Sequence, residues 1–461
     1  MPQKKEMMKI NLFTILVLMF SVTFISTAQQ KPNIVFFIAD DAGYLDNSVF
    51  GTGEVHTPTM EKLAKEGMRF NNAFIASPAC SPSRAALLTG LMPARNGAEV
   101  NHSYPKENIK VLTKYLQDLG YEVIAFGKVA HDKMNSTAGF DYYSAPRIML
   151  AKQVKEYFAT HEVKKPICLL IGDQRPHVPW IEVPTYDPDK VTIPPYFIDT
   201  KVTRMERARY YTDVTGMDQE MGEILDIAEK QFKNNFIFTF SSDHGAQWPF
   251  GKWNLYDFGI RTPLIMMWKG KIKADSQTNA MVSWVDIFPT FIDIANGSTP
   301  KDLDGKPFTD VLLGKKNNFR EKIYTTHTGD GKMNVYPIRS VRTSQYHYIL
   351  NLHIDYIHTN HSDLLKLDGA GSFWSSWYEK AAGDVKALEV VTKYHLRPAQ
   401  ELFDLKKDPF EQNNLALDSN YKEILKKMDL DLHQWMKSQG DTEKVYNTPI
   451  LKTEDFPIKN K

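Results

Sequence analysis

Short apolar runs alternate with helical patterns over the first two thirds of the chain. Each run is nearly continuous, which is typical of a strand buried on both faces of a parallel sheet. Strands that alternate with helices predict βαβ units and an α/β fold with helices on both faces of the sheet. The predicted strands span residues 33–39, 121–126, 167–172, 236–240 and 263–268, and helical patterns span residues 57–65, 111–119 and 204–230.

Charged and polar residues follow several of these predicted strands directly. Asp40 and Asp41 end the first strand, Lys128 follows the second, and Asp243 lies just past the run at 236–240. Open α/β sheets bind ligands at the carboxyl ends of their strands. We therefore expect these side chains to share one site at that edge.

The pattern changes after about residue 310. Residues 339–342 and 346–350 alternate as antiparallel or edge strands do, residues 401–405 form another strand, and residues 421–437 have helical spacing. The polar stretch 359–384 is expected to be an irregular loop. We predict a large domain at 29–315 and a smaller C-terminal α+β subdomain at 316–461.

The N-terminus has the pattern of a secretory signal peptide. Three lysines precede an apolar run at residues 10–25, and Ser26, Thr27 and Ala28 offer small residues for cleavage. The run is too short for a convincing membrane span, and no cysteine follows it for lipid attachment. We expect residues 1–28 to be removed and the protein to be periplasmic or secreted.

Charge gives no reason to expect binding to nucleic acid or to a membrane. The chain has 56 basic and 55 acidic residues, and removing residues 1–28, which hold three Lys and one Glu, leaves 53 and 54. A mature chain of net charge −1 has no overall field that attracts polyanions. Any anion binding must therefore be local.

Residues 78–90, PACSPSRAALLTG, have the features of an anion site. Cys80 lies on a proline-containing turn before a helical pattern, whose first amides favour negative charge. The guanidinium of Arg84 matches sulfate or phosphate oxygens. Only one other cysteine is present, and Cys168 lies in an apolar run where a free buried thiol is common. We therefore expect no disulfide.

A second group of residues suggests a metal site. Three carboxylates and one imidazole, from Asp40, Asp41, Asp243 and His244, make a set dominated by hard oxygen donors. Such a set suits Ca²⁺ or Mg²⁺ better than a thiolate-binding metal.

The segment around Cys80 resembles the signature of the type I sulfatases, which belong to the alkaline-phosphatase-like superfamily. The resemblance implies that Cys80 is converted to formylglycine by a formylglycine-generating enzyme, and that the hydrated aldehyde is the nucleophile. It also implies one divalent cation, usually Ca²⁺, with Mg²⁺ less favoured. The implied metal ligands are Asp40, Asp41, Cys80, Asp243 and His244, the last at a position where Asn is common.

The same resemblance assigns roles to five further residues. Arg84 and Lys128 match residues that hold the aldehyde hydrate and the oxygens of the metal site. His131 matches the acceptor of the second hydroxyl proton. His177 and Lys252 match the groups that contact sulfate and protonate the leaving sugar. The alternative for each lone Lys or His is a solvated loop residue, and Trp180, Trp248 and Trp253 fit core packing or sugar stacking equally.

Further segments, including residues 193–197, 215–219 and 249–256, resemble heparan N-sulfatase (sulfamidase). Lys252 stands where that enzyme carries Arg, so both an N-sulfated heparan-like sugar and an O-sulfated algal polymer such as ulvan stay open. The implied partner is a sulfated oligo- or polysaccharide. The alternatives are a phosphonate or phosphodiester hydrolase of the same superfamily and a non-catalytic binder of sulfated glycans.

Overall fold

The largest sheet combines eight strands from across the first 280 residues of the chain. The computed structural model describes residues 31–367 and 369–454, so the predicted signal peptide at 1–28 lies outside the described residues. The strands are, in chain order, β1 (Asn33–Ala39), β2 (Met68–Phe70), β3 (Ala73–Phe74), β4 (Glu122–Gly127), β5 (Tyr142–Ser144), β6 (Ile167–Gly172), β7 (Phe236–Ser242), β8 (Leu264–Met267), β9 (Ser276–Thr278), β10 (Val282–Ser283), β11 (Ile323–His327), β12 (Ile338–Arg342), β13 (Tyr346–Asn351) and β14 (Gln400–Asp404).

The strand order of this sheet is β5-β4-β6-β1-β7-β8-β2-β9. Neighbouring strands are parallel except where β8 pairs with β7 and with β2, so only β8 runs in the opposite direction. β1 lies between β6 and β7, and all seven of its residues are buried, as its continuous apolar sequence requires. The prediction of a large, mostly parallel sheet is confirmed.

Helices connect and cover these strands. Phe36 and Phe37 of β1 point to opposite faces of the sheet, and the Phe36 ring packs on Phe291 with centroids 5.8 Å apart. The helices are α1 (Pro58–Glu66), α2 (Cys80–Thr89), α3 (Pro93–Asn96), α4 (Leu112–Asp118), α5 (Leu150–Thr160), α6 (Lys201–Phe232), α7 (Asp257–Ile260), α8 (Ile287–Ile294), α9 (Thr309–Leu312), α10 (His361–Leu365), α11 (Trp374–Ala381), α12 (Val385–His395) and α13 (Lys422–Gln439). Within the described residues, no helix combines the length and the apolar character needed to cross a bilayer.

A second, antiparallel sheet in the order β11-β12-β13-β14 forms the C-terminal part. The apolar face of α13 packs on it through Met428, Leu432 and Met436. The predicted α+β character of this part is confirmed, and the boundary at residue 315 stays a prediction. The described residues from Pro32 onward form one compact unit.

The expectation of an irregular loop at residues 359–384 is wrong. This stretch contains α10 and α11. A capping box at Asn360 and Asp363 starts α10, and Trp374 and Trp377 of α11 are buried against the main core. Tertiary burial of aromatic side chains stabilises helices that the polar composition of the segment does not favour.

Candidate active site

The carboxyl ends of four parallel strands bring the predicted site residues together. Ala39 of β1 pairs with Ser242 of β7, so the residues that follow both strands emerge side by side. In the same way, Gly127 of β4 pairs with Gly172 of β6. The residues that follow these four ends are Asp40 and Asp41, Lys128, the loop of His177, and Asp243 with His244. The predicted side chains therefore lie together at this edge, and their role as a site stays a prediction.

Cys80 is the first residue of α2, and it is 2% exposed. Its Sγ lies 3.6 Å from Oδ1 of Asp40, 3.4 Å from Nε2 of His244 and 3.5 Å from Nζ of Lys128. Burial raises the pKa of the Cys80 thiol to about 12. The unmodified thiol is therefore neutral, which makes it a poor nucleophile at neutral pH. Cys168 is also buried and free, as expected.

Arg84 lies one helical turn after Cys80 and is fully buried. Its Nε donates to Oδ2 of Asp243 at 3.0 Å, and one of its terminal nitrogens donates to Oδ1 of Asp40 at 3.2 Å. The other terminal nitrogen donates to the carbonyl oxygens of Lys128 and Val129. One guanidinium thus connects the ends of β1, β4 and β7 and holds their relative positions. Its donors are used within the protein, so Arg84 is not free to bind a ligand.

Two lysines hold the paired carboxylates at the end of β1. Nζ of Lys128 donates to Oδ2 of Asp40, and Nζ of Lys252 lies 3.0 and 2.9 Å from the two oxygens of Asp41. Burial opposes ionisation of Asp40, but Lys128 and the other nearby cations hold its pKa well below its usual range. Burial also opposes the charge of Lys252, but Asp41 raises its pKa, so Lys252 stays charged.

Asp41 itself has a backbone φ of 68°, in the left-handed region that non-glycine residues rarely adopt. Its amide donates to Oδ1 of Asp243 at 3.1 Å, and Tyr210 donates to its carbonyl oxygen at 3.2 Å. Outliers of this kind persist where the surrounding structure fixes them, and they occur often at functional sites. Here the turn directs two successive carboxylates toward Asp243.

The donor set fits a hard divalent cation. Ligand atoms of Asp40, Asp41 and Asp243 lie within 4.8 Å of one another, and all three residues are fully buried. His244 is also fully buried, and its Nδ1 contacts the carbonyl of Gly245 at 2.9 Å, which leaves Nε2 facing Cys80. Converging buried carboxylates are stabilised by a metal, and oxygen donors favour Ca²⁺ or Mg²⁺.

His177 lies in the loop after β6, with its Nδ1 2.6 Å from the carbonyl of Val178 and its Nε2 3.9 Å from Oδ2 of Asp41. The contact at Nδ1 turns Nε2 toward the site. Burial and the charge of Lys252 lower the pKa of His177 to about 4, so the ring is neutral at pH 7. The structure thus brings His177 to the same centre as Lys252.

His131 is placed differently from the other predicted residues. Within the described residues, its polar partners are outside the group of Cys80 and the three carboxylates. Its Nε2 lies 3.0 Å from Nδ1 of His102 and 3.1 Å from Oδ2 of Asp132. Burial and the neighbouring Lys128 lower the pKa of His131 to about 3. His131 is a buried, neutral imidazole beside the site.

Two neighbours of the site were not predicted from the sequence, namely His102 and Asp330. Asp330 accepts hydrogen bonds from the indole of Trp253 and from the amide of Asn101, both at 2.8 Å. No local pattern distinguishes these loop residues, because the bond from Asn101 to Asp330 spans 229 positions of the chain. A single His or Asp in a loop does not indicate a functional role in the sequence. Its role becomes visible only when the fold brings its partners close to it.

The three tryptophans are part of the packing. Trp180 and Trp248 are buried and stack on each other with centroids 4.9 Å apart. Trp253 is 4% exposed and lies under Nζ of Lys252, 5.2 Å from the ring centroid. Of the two alternatives, core packing and sugar stacking, core packing describes Trp180 and Trp248. Trp253 packs under the side chain of Lys252 and so helps to position it.

Comparison with known families gives two matches. The model of the sulfatase family matches residues 32–298, and a model described as the C-terminal part of N-sulphoglucosamine sulphohydrolase matches residues 244–369. An ulvan-active sulfatase of Formosa agariphila is 32% identical over 443 residues, covering 92% of this chain and 84% of that protein. Human N-sulphoglucosamine sulphohydrolase is 26% identical, covering 89% and 91%.

Solved structures share the fold at lower identity. A protein described as a 2-O GAG sulfatase is 21% identical with a TM-score of 0.68, covering 93% of this chain and 99% of that one. A phosphonate monoester hydrolase from Silicibacter pomeroyi is 15% identical with a TM-score of 0.67, covering 89% and 96%. The alkaline-phosphatase-like fold is therefore confirmed, and it is shared by enzymes of different chemistry.

Proposed function

Because the chain belongs to the sulfatase family, we propose that it is a formylglycine- and metal-dependent enzyme that removes sulfate from a sulfated polysaccharide. The observation that carries this proposal is the environment of Cys80 at the start of α2. Its Sγ contacts Asp40, His244 and Lys128, and each lies within a network that includes Arg84. A nucleophile at residue 80 thus lies beside one buried cation and two of the proposed metal ligands, and such cations together with a metal would neutralise an anion.

The charge balance of the site supports an anionic substrate. Three buried cations, Arg84, Lys128 and Lys252, face the three buried carboxylates of Asp40, Asp41 and Asp243. A divalent cation held by the carboxylates would leave the site with excess positive charge, which a sulfate group can neutralise. Such fixed charges stabilise a transition state in which negative charge develops on sulfate oxygens.

The proposed metal ligands are Asp40, Asp41, Asp243, His244 and the modified residue 80. A bound Ca²⁺ would act as a Lewis acid on the sulfate oxygens and lower the pKa of a coordinated hydroxyl. The aldehyde made from Cys80 would supply, as its hydrate, the attacking hydroxyl and a second hydroxyl that later expels sulfate. Sulfate binding and proton transfer would be carried out by unmodified side chains of the protein.

Those side chains bind sulfate and move protons. Lys128 and Lys252 hold Asp40 and Asp41 and extend to the same centre, so their ammonium groups can bind sulfate oxygens. His177 and Lys252 are the two candidates for protonating the leaving sugar oxygen, because both lie near Asp41. Lys252 is already charged, whereas the ring proton of His177 is held on Nδ1 by the carbonyl of Val178, so His177 has to gain a proton on Nε2 first. His131 is the candidate that accepts the proton of the second hydroxyl.

A cavity beside the site gives room for the sugar. It has a volume of about 530 Å³ and is lined by Val178, Gln247, His361 and Lys366, among others. Oε1 of Gln247 lies 3.5 Å from Nζ of Lys252, and this contact supports a sugar-binding role for the cavity beside the proposed sulfate site. The named relatives act on ulvan or on N-sulphoglucosamine, so we propose an O-sulfated algal-type polymer first and an N-sulfated heparan-like sugar second.

The apolar N-terminal run supports export, and we propose that the protein is periplasmic or secreted. This location suits an enzyme that acts on a polymer from outside the cell. Maturation then requires a formylglycine-generating enzyme in the same host.

The first test is mass spectrometry of the tryptic peptide containing Cys80, from protein made with a formylglycine-generating enzyme. We expect the mass of the aldehyde or its hydrate, together with release of sulfate from ulvan or N-sulfated oligosaccharides. Cys80→Ser protein should keep its thermal stability and release no sulfate. Full activity in unmodified Cys80→Ser protein would refute the proposal.

The same preparation separates the alternatives. Phosphonate and phosphate diesters are assayed beside sulfate esters, because the fold likeness alone does not distinguish the two chemistries. A higher kcat/KM on phosphonates would favour the phosphonate hydrolase. Matured protein that binds sulfated oligosaccharides without releasing sulfate would be the glycan binder.

A further inference from the structure

His102 lies in a loop that is bound directly to the residue after Cys80. The amide of Ser81 donates to Oδ1 of Asn101 at 3.0 Å, and the hydroxyl of Ser81 donates to the carbonyl of Ser103. Both neighbours of His102 are thus attached to Ser81. The side chain of His102 is 57% exposed, so it connects this buried region with solvent.

The protonation of His131 follows from its neighbours. Its Nε2 lies 3.1 Å from a carboxylate oxygen of Asp132, and an ionised carboxylate only accepts hydrogen bonds. Nε2 therefore carries the proton, which it shares between Asp132 and Nδ1 of His102. This leaves Nδ1 of His131 as a free lone pair, and this atom is buried with no hydrogen-bond partner among the described residues.

A buried acceptor without a partner is costly and needs an explanation. The side chain of His131 is only 7% exposed, so bulk water does not solvate it. Lys128 lies 3.5 Å from Sγ of Cys80, and its charge also acts on His131, so both residues adjoin the same ammonium group. A reacting hydroxyl at residue 80 that extends toward His131 would be the partner that Nδ1 lacks. His131 is then placed to accept a proton on Nδ1 and to release another from Nε2.

We propose that His102 relays this proton from His131 to solvent, with Asp330 orienting its ring. Nε2 of His102 lies 3.7 Å from Oδ1 of Asp330, whose other oxygen accepts from Nδ2 of Asn101 at 2.8 Å. The negative charge of Asp330 favours a proton on that nitrogen, as carboxylates do for other functional histidines. Nδ1 of His102 is then the acceptor that faces His131.

The relay deepens the proposed sulfatase function and rests on it. When sulfate leaves, the remaining hydroxyl at residue 80 gives its proton to Nδ1 of His131 and re-forms the carbonyl. The carbon–oxygen bond to sulfate breaks, and its electron pair leaves with sulfate. The Nε2 proton of His131 moves to Nδ1 of His102, and His102 loses its Nε2 proton to water. Hydration of the carbonyl drives the reverse transfers and restores both rings.

The low basicity of His131 supports the need for a relay. A buried imidazole that stays neutral holds an added proton only briefly, so an exposed partner with better solvation must take it. The charged and titratable groups that face this pair are Arg84, Lys128, Asp132, Arg147, Asp330 and His361.

Two substitutions at one position test the relay. The backbone φ of His102 is 62°, a conformation that Asn and Gly tolerate. His102→Asn fills the space without transferring protons, and His102→Gly leaves room for added imidazole. We expect both to lower kcat about 100-fold, the lower end for acid–base groups, with KM unchanged. Imidazole should restore His102→Gly but not His102→Asn, and the pH dependence of kcat should change in both.

His433 provides the matched control, because it is 50% exposed and lies 3.4 Å from Asp429 on α13, away from the site. His433→Asn should keep the wild-type kcat. Wild-type kcat in His102→Asn would overturn the relay, and so would loss of activity in His102→Gly that imidazole does not restore. Matured wild-type protein that releases no sulfate would instead refute the proposed function, and the relay with it.

Discussion

Nε of Arg84 donates to Oδ2 of Asp243 across 3.0 Å, and both side chains are fully buried. The two residues lie on different elements, α2 and the end of β7. The same guanidinium also contacts Asp40 at the end of β1. This contact therefore sets the position of the Cys80 helix relative to two carboxylates of the proposed metal site.

Removing this guanidinium should cost both stability and activity. Arg84→Ala leaves two buried carboxylates without their partner, and breaking a buried pair in this way costs about 3–5 kcal/mol. Arg84→Lys keeps the charge but loses the planar, forked geometry, so we expect sulfate release to fall about 10²-fold or more. Urea unfolding and initial rates measure the two effects.

Arg204→Ala is the control. It breaks an exposed pair with Asp199 and should change stability by about 1 kcal/mol or less. Equal losses of stability in Arg84→Ala and Arg204→Ala would contradict the prediction.

Metal binding should stabilise the folded protein. Ca²⁺ at about 100 times its dissociation constant should add about 2.7 kcal/mol to the free energy of unfolding, and EDTA should remove it. Asp243→Asn should abolish this response, whereas Asp310→Asn on the surface should keep it. Thermal unfolding with and without Ca²⁺ checks this, and a response that survives in Asp243→Asn would exclude Asp243 as a ligand.

His244 should control which metal is preferred. Imidazole tolerates softer ions, so the wild-type protein should also respond to Zn²⁺. His244→Asn replaces the nitrogen by a hard oxygen donor and should lose the Zn²⁺ response while keeping that to Ca²⁺. Competition between the two ions in thermal unfolding measures the shift, and an unchanged preference would show that His244 does not bind the metal.

Gly172 should be essential for the position of Lys128. A Cβ at residue 172 would lie 2.1 Å from the carbonyl carbon and oxygen of Lys128 and 2.6 Å from the amide of Val129. Gly172→Ala therefore has to displace this backbone, which costs about 1–3 kcal/mol and moves Nζ of Lys128 away from Asp40. We expect lower stability and a lower kcat. Gly383→Ala meets no atom within 4 Å and serves as the control; equal behaviour of the two variants would contradict the prediction.

The pair of Asp257 and Arg342 should give the protein a pH-dependent stability. Burial opposes ionisation of Asp257, but Arg342 holds its pKa at about 2, below the value of about 3.9 in an unfolded chain. A lowered folded-state pKa stabilises the protein above pH 4, and this contribution is lost as the pH falls toward 2. Arg342→Met should therefore lower the free energy of unfolding by about 2 kcal/mol at pH 6, with a gap that narrows below pH 4. Urea unfolding across this range measures it, and a gap independent of pH would contradict the assignment.

Apolar runs predicted five of the eight strands of the main sheet, because the pattern depends on local burial. The three-residue strands β2, β5 and β9 were not predicted, since each is too short to show a pattern. β1, β6 and β7 are buried on both faces, as their continuous apolar sequences predict. The reversed direction of β8 was not predictable, since the apolar run of a buried strand is the same in either direction. The helix α11 was missed because aromatic side chains far apart in the chain, such as Phe197 and Trp377, stabilise it together. The short helix α10 does carry a local signal, the capping box of Asn360 and Asp363, which the polar composition of the segment outweighed in the prediction.

The sequence by itself determined which chemistry is available. The signature around Cys80, the paired aspartates after β1 and the polar residues after other strands follow from residue types and their order. Only the tertiary structure decided how these groups are connected, such as the three-way contact of Arg84 and the contact of His131 with His102. The physical reason is that hydrogen bonds and ion pairs depend on distances of about 3 Å, and the fold sets these distances between residues that are separated by up to 200 positions or more.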